Sequence, residues 1–195
     1  MSSFKKCPII QKFKLKVCFF STMNCLTCHR EIQTRLGYIS NSYRYCSSCF
    51  SHIIERRIRK YIRESAPLKR NQRVVVSDPV SAHFMQHITH VPLVVVKKRQ
   101  KKNDCVVLLH TLDDLVVQFL EHFLLGKKKV VKKKNELRLF SSITDEELAL
   151  YCQYHKIRFA AQKHPLKEML LGLEKEHPGT LHALSKSVCD LEEIF

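Results

Sequence analysis

Two CxxC pairs, Cys25-Leu-Thr-Cys28 and Cys46-Ser-Ser-Cys49, are separated by seventeen residues. Each pair offers two thiolates from one tight turn, so two pairs at this separation can close a tetrahedral four-thiolate site with the intervening residues as its arms. A ribbon this small has no core of its own, and metal binding would supply its folding energy. The spacing therefore predicts a structural zinc held by Cys25, Cys28, Cys46 and Cys49. Two other readings compete. The four cysteines can be ordinary buried or free thiols, and Cys25-x-x-Cys28-His29 also spells a c-type haem attachment site. Haem would require export to an oxidising compartment and would leave the second pair without a use. Under the zinc reading, His29 is a solvent-facing neighbour or a spare ligand.

The rest of the chain has room for one core and a small appendage, with 195 residues of which 45% are hydrophobic. No run approaches the roughly 20 apolar residues of a membrane helix, so a soluble protein without membrane contact is expected. Nine cysteines are an odd number, and no secretory signal precedes them. Both facts point to a reducing compartment, the cytoplasm by default with the nucleus left open. Residues 1–22 read as a basic tail or an overextended start. Lys5, Lys6, Lys12, Lys14 and Lys16 lead into Val17-Cys18-Phe19-Phe20, which is too short for a signal core, and Met23 stands directly before Asn24-Cys25. A mitochondrial presequence would carry arginine, which this stretch lacks.

Charge points to a partner class. Thirty-four Lys and Arg against eighteen Asp and Glu give a formal charge of +16, a field that attracts polyanions, nucleic acid first among them. The plain alternative is a lysine-rich composition with no bound polyanion. After Cys49, the residues Phe50, Ile53, Ile54, Ile58, Tyr61 and Ile62 recur at helical spacing, and Arg56, Arg57, Arg59, Lys60 and Arg63 fill the other positions. This amphipathic helix is expected to end near Ser65-Ala66-Pro67, with Lys69, Arg70 and Arg73 carrying the charge onward. Eight basic residues in the eighteen positions from Arg56 to Arg73 exceed what solubility asks for. Arg56, Arg57, Arg59, Lys60, Arg63, Lys69 and Arg70 are candidate phosphate contacts, against the alternative of a solvated helix face.

From Arg73 onward, strands alternate with helices. Val74 to Val76, Pro92 to Val96 and Cys105 to Leu109 read as buried strands, Ser77 to Ser81 as a turn, and Ala82 to His90 as a helix. Lys97 to Lys102 reads as a hairpin-like polar run. Leu112 to Leu125 is a helix with Asp113 and Asp114 in its first turn and Gly126 at its end. Lys127-Lys-Lys129 and Lys132-Lys-Lys134 form a basic loop. Thr144-x-x-Glu147 is a capping box opening a helix to His155. Ile157 to Phe159 reads as a short strand, Pro165 opens a helix to about His177, and a last helix reaches Glu193. The pattern predicts an α/β fold with a mainly parallel sheet covered on both faces. Cys105, Cys152 and Cys189 are expected to be structural thiols packed in the core.

The CxxC pair, Tyr45-Cys46-x-x-Cys49-Phe50, the basic helix, a strand ending in a serine-rich turn, His110-x-x-Asp113-Asp114 and the helical tail together resemble the cytoplasmic tRNA 2-thiolation proteins. Those are PP-loop ATP-pyrophosphatase-like proteins that act on the wobble uridine of tRNAs, working as a pair with one catalytic member. The likeness runs discontinuously from about Cys25 to Asp190 and is best at the knuckle and its helix. It implies a truncated PP-loop-like domain at 67–195, following a knuckle and basic helix at 23–66.

The departures imply the non-catalytic member, the family of 2-thiolation protein 2. The catalytic branch carries a Ser-Gly-Gly-Lys-Asp-Ser phosphate loop, whose glycines let backbone N–H groups approach the phosphates. Here Ser77-Asp78-Pro79-Val80-Ser81 stands instead. Asp78 would repel phosphate, Pro79 removes a donor and no lysine is present. ATP is therefore not expected, no catalytic residue is assigned, and Ser77, Ser81, His110 and Asp113 would be a vestigial nucleotide pocket. Asp113 and Asp114 also fit plain helix capping. His110 follows Ser77 by only 33 positions, a shortened domain with room for about one strand-helix-strand unit.

The resemblance implies tRNA and a catalytic thiolation subunit as partners. Two further readings stay open: a zinc-ribbon RNA-binding or ribosome-associated protein, and an active tRNA sulfurtransferase with a nonstandard ATP pocket.

Overall fold

A computed structural model describes residues 24–32, 38–39, 44–65, 68–69, 72–88, 94–96, 104–126 and 135–192. The basic tail, Arg70 and both lysine loops lie outside the described residues.

Strands β1 (Tyr38–Ile39) and β2 (Arg44–Tyr45) pair antiparallel between the two CxxC turns. Helix α1 (Ser47–Ser65) starts directly after Cys46, the Phe50 N–H donating to the Cys46 carbonyl at 2.9 Å. Its buried residues Phe50, Ile54 and Ile58 recur at four-residue steps, which sets them on one face of the helix. The helix ends at Ser65, where the sequence places the stop.

Four strands, β3 (Arg73–Val75), β4 (Val94–Val96), β5 (Cys105–Val107) and β6 (Glu136–Leu137), form one sheet in the order β4-β3-β5-β6, every pair parallel. The chain passes from β3 outward to β4 and from β5 outward to β6, in opposite directions. Right-handed crossovers then put the two connecting helices on opposite faces. On one face, α2 (Pro79–His83, continued by a π turn over Phe84–Ile88) joins α1 and α4 (Asp145–Tyr154). Its core includes Val74, Val76, Cys105, Val107, Leu137 and Leu139, alternate residues of the strands and their extensions, packed on Ile54, Ile58, Phe84, Phe140, Leu148 and Tyr151. A second cluster joins α3 (Leu112–Leu125), α5 (Pro165–Glu176) and α6 (Thr180–Glu192) through Leu112, Val116, Val117, Leu170 and Leu181.

The capping box of Thr144 with Glu147 forms on α4, a second one, Thr111 with Asp114, opens α3, and Gly126 closes α3 at a φ of 62°. Four details differ from the sequence reading. The helix after β3 begins at Pro79, because Asp78 accepts from the Ser81 N–H at 2.7 Å as N-cap and Pro79 takes the first helical position. Residues 79–81 are therefore helix and not turn. The strands flanking Lys97 to Lys102 form no hairpin, since both pair parallel with β3, one on either side. Ile157 to Phe159 forms no strand: Lys156 takes a φ of 58° and the segment after it runs irregularly toward α5. The sequence reading had no strand at β6, which is only two residues long. No helix among the described residues is long and apolar enough to cross a membrane.

Candidate functional site

The CxxC turns and the small ribbon between them bring Cys25, Cys28, Cys46 and Cys49 together, their sulfur atoms all within 4.8 Å of one another. Cys28 and Cys46 Sγ stand 3.6 Å apart. Cys25 is fully buried, and its N–H donates to the Arg30 carbonyl at 2.8 Å. Burial raises the Cys25 pKa, but bonds from the backbone N–H groups of Cys28, Cys46 and Thr27 outweigh it and bring the thiol down to about 6. Burial and the neighbouring Cys46, Cys28 and Cys25 push Cys49 up instead. Four thiols in this space cannot all ionise without a cation between them, which is the electrostatic signature of a metal-binding set. The donor set and its convergence fit one metal ion. His29 sits just outside at a φ of 57°, exposed.

On the basic helix, Arg56, Lys60 and Arg63 are exposed, as is Lys69 beyond it. Arg57 and Arg59 are already engaged. The Arg57 guanidinium donates to Glu147 at 2.8 Å, tying α1 to α4, and Arg59 pairs with Glu55 one turn back at 3.0 Å. Both remain more than a third exposed, at 39% and 38%, so each pair adds little to stability.

The turns after β3 and β5 meet where the sheet's connections diverge, the position at which open α/β sheets hold ligands. Ser77 is exposed, whereas Ser81 is fully buried in α2. Among the described residues neither the Ser81 hydroxyl nor the second Asp78 oxygen has a hydrogen-bond partner. Cys152 lies near this turn as an inert thiol, raised to about 12 by burial and by the Asp78 charge. After β5, His110 is half-buried and its pKa is lowered by burial and by Arg138 and Lys167, against Asp114 and Glu136. Asp113 is buried and its carboxylate accepts the Asp145 N–H at 2.7 Å. Burial raises its pKa.

Sequence reasoning missed the node that holds this second turn. Lys167, 7% exposed at the start of α5, donates to Asp145 at 2.7 Å and also pairs with Asp114. Burial opposes its charge, but the two carboxylates outweigh it and raise the pKa. The Thr111 hydroxyl adds a bond to Asp145 at 2.7 Å, so the first turns of three helices meet on one ammonium. Also missed were Arg138, whose Nε and Nη2 are buried without a partner among the described residues, and a row of histidines on α2 and α4. None of these carries a local spacing signal.

No protein-family model matches the chain, and no curated protein matches it in sequence. Its fold is shared with solved structures. One is the U34-tRNA thiolase NcsA from Methanococcus maripaludis with its iron–sulfur (4Fe-4S) cluster, at a TM-score of 0.64 and 15% identity, covering 90% of this chain and 89% of that one. The likeness is one of fold, a parallel sheet flanked by helices.

Proposed function

We propose that this chain is a non-catalytic subunit of a tRNA wobble-uridine 2-thiolation complex in the cytoplasm, binding tRNA and a catalytic thiolase partner. The observation that carries the reading is the turn after β3. On a sheet with the architecture of a tRNA thiolase, the position that would cradle phosphate holds a carboxylate and a proline. The Asp78 cap and Pro79 take up the first turn of α2, and Asp113 and Asp114 in the neighbouring turn are bound to Asp145, Thr111 and Lys167. In the β3 turn the Ser81 N–H is already taken by Asp78, whose charge would repel a phosphate there. The tRNA contact falls to Arg56, Lys60, Arg63 and Lys69, with Arg57 and Arg59 on the same helix and Arg70 next to Lys69 in sequence, which position a phosphate backbone without reading sequence.

The four cysteines would hold zinc as a structural ion. A tetrahedral zinc with Zn–S bonds of about 2.3 Å separates its sulfur ligands by roughly 3.8 Å; Cys28 and Cys46 Sγ stand 3.6 Å apart and all four sulfurs lie within 4.8 Å of one another. A four-iron cluster would interpose its own iron and sulfide and spread the thiolates further apart. Bound there, the ion would close the ribbon against the start of α1.

The test is the 2-thiouridine content of wobble positions in tRNA from cells depleted of this protein. Loss of the thio group, restored by the intact gene and not by Cys46→Ser, is the expected result. Unchanged thiolation removes the reading. The purified protein should carry one zinc and no iron, and Cys46→Ser should lose the zinc.

A further inference from the structure

Four aromatic rings from two segments form a continuous row beside α1. His83 closes α2, His87 lies in the π turn, His155 caps α4 and Tyr154 precedes it. Ring centroids are 4.9 Å apart for His83 and His87, 5.2 Å for His83 and His155, and 4.9 Å for Tyr154 and His155. The two inner rings are fixed from beneath. Ser51 Oγ bonds His155 Nε2 at 2.6 Å, and the Tyr151 hydroxyl bonds His83 Nε2 at 3.2 Å. Tyr151 in turn stacks on Phe84 at 4.7 Å in the core. The two end rings face outward, Tyr154 being 38% exposed and His87 exposed as well.

Core packing does not require this arrangement, because the outer rings remain in water. Metal ligation does not account for it either. Among the described residues only the four cysteines bring three or more donor atoms within ligating distance, and a bond already occupies Nε2 of both inner imidazoles. Neighbouring rings are inclined to one another by 47°, 47° and 79°, so each offers a face of its own, and exposed flat rings anchored from behind are the groups on which unpaired nucleobases stack. Cations stand ready for the phosphates: Lys156 and Arg158 are exposed immediately after the row, and Arg56 is exposed on α1. A nearby carboxylate, Glu55, is answered by Arg59 at 3.0 Å and faces His52 at 3.8 Å.

We propose that His87, His83, His155 and Tyr154 form a stacking platform for unpaired RNA bases, with His87 and Tyr154 as its contact rings. The proposal rests on the tRNA-binding reading above and gives it a second element, which takes bases where the basic helix takes phosphates.

The test uses the full-length, zinc-loaded protein with an unmodified tRNA transcript and, separately, a single-stranded oligouridine, each titrated by anisotropy over a salt series. His87→Ala with Tyr154→Ala should weaken both complexes at least 10-fold, because each stacked base contributes about 1–3 kcal/mol. The slope of log affinity against log salt should not change, since no phosphate contact is lost. His87→Phe with Tyr154→Phe keeps the rings and should bind like the parent, which separates stacking from any fault in folding. The chain has no tryptophan, so Tyr154→Trp places a lone fluorophore whose emission a stacked base should quench. Alanine variants that bind both RNAs within twofold of the parent overturn the platform, as does unquenched emission at saturation. A parent that binds oligouridine through these rings but not tRNA upholds the platform and overturns the tRNA reading. A parent that binds neither overturns both.

Discussion

The turns that leave β3 and β5 stand side by side at the divergence of the sheet, yet they are secured in opposite ways. The β3 turn is self-contained. Asp78 caps the helix that Pro79 opens at the next position, and the bond that defines the turn runs from the Ser81 N–H to the Asp78 carboxylate. The β5 turn is shared. Thr111, Asp113 and Asp114 reach Asp145 across more than thirty residues and Lys167 on a third helix. Acidic residues at the C-terminal edge of a parallel sheet suggest a site, but their partners decide what they do. In one turn the carboxylate is a local cap, and in the other the carboxylates clamp three helices together.

The largest effect that separates the turns should come from Lys167→Met. Methionine fills much the same space but leaves Asp114 and Asp145, 15% and 13% exposed in their side chains, facing each other without a cation. Removing one partner of a buried charged set costs about 3–5 kcal/mol. Urea denaturation should register at least the lower figure, and the melting temperature should fall by roughly 10 °C for a chain of this size. A loss below about 1 kcal/mol, the value of an exposed pair, would mean that the node is solvated and the two turns are alike.

A smaller effect is expected at the other turn. Asp78→Ala removes the N-cap of α2 and should cost about 1 kcal/mol. Asp78→Asn keeps a capping oxygen and should cost almost nothing. Equal losses for the two variants would show that the carboxylate charge matters there, and the β3 turn would then have to be read as coupled to its surroundings, as the β5 turn is.

The same contrast explains what could be read along the chain. The CxxC turns, both capping boxes, Gly126 and the Asp78 cap with Pro79 depend on residues within a few positions of one another, and each leaves a spacing in the sequence. Cys25 to Cys49, the acids Asp113 and Asp114 that open α3, and Thr144 with Glu147 were legible for that reason. The Asp78 cap was present but was read as a turn, because Ser77-Asp78-Pro79 satisfies turn and helix-start preferences equally. β6 escaped because two residues carry no alternation. Lys167 meets its two carboxylates, and the pair His83 and His87 meets the pair Tyr154 and His155, only through the tertiary fold, so no local pattern joins them. Arg57 shows the converse: its position fitted a phosphate-binding face, and the fold put Glu147 of α4 beside it, whereas the partner of Arg59, Glu55, stands one turn back on the same helix and could be read from the spacing.

The smallest and most specific test of the comparison is the pH dependence carried by His110. Burial, with Arg138 and Lys167 nearby, lowers its pKa from 6.5, while Asp114 and Glu136 pull the other way without reversing the shift. The unfolded chain therefore takes up the proton first as pH falls, and linkage makes the folded state lose stability below about pH 6.5. His83 and His155, also lowered by burial from 6.5, contribute losses of the same sign on the opposite face. His110→Gln should remove only the share that belongs to the β5 turn. Between pH 7.5 and 5.5 the urea midpoint of the parent should fall more steeply than that of the variant, and the two should converge as pH drops. Parallel curves would mean that the imidazole is free to protonate in the folded chain. The β5 turn would then be open to water at its edge, and the contrast with β3 would reduce to the Lys167 node alone.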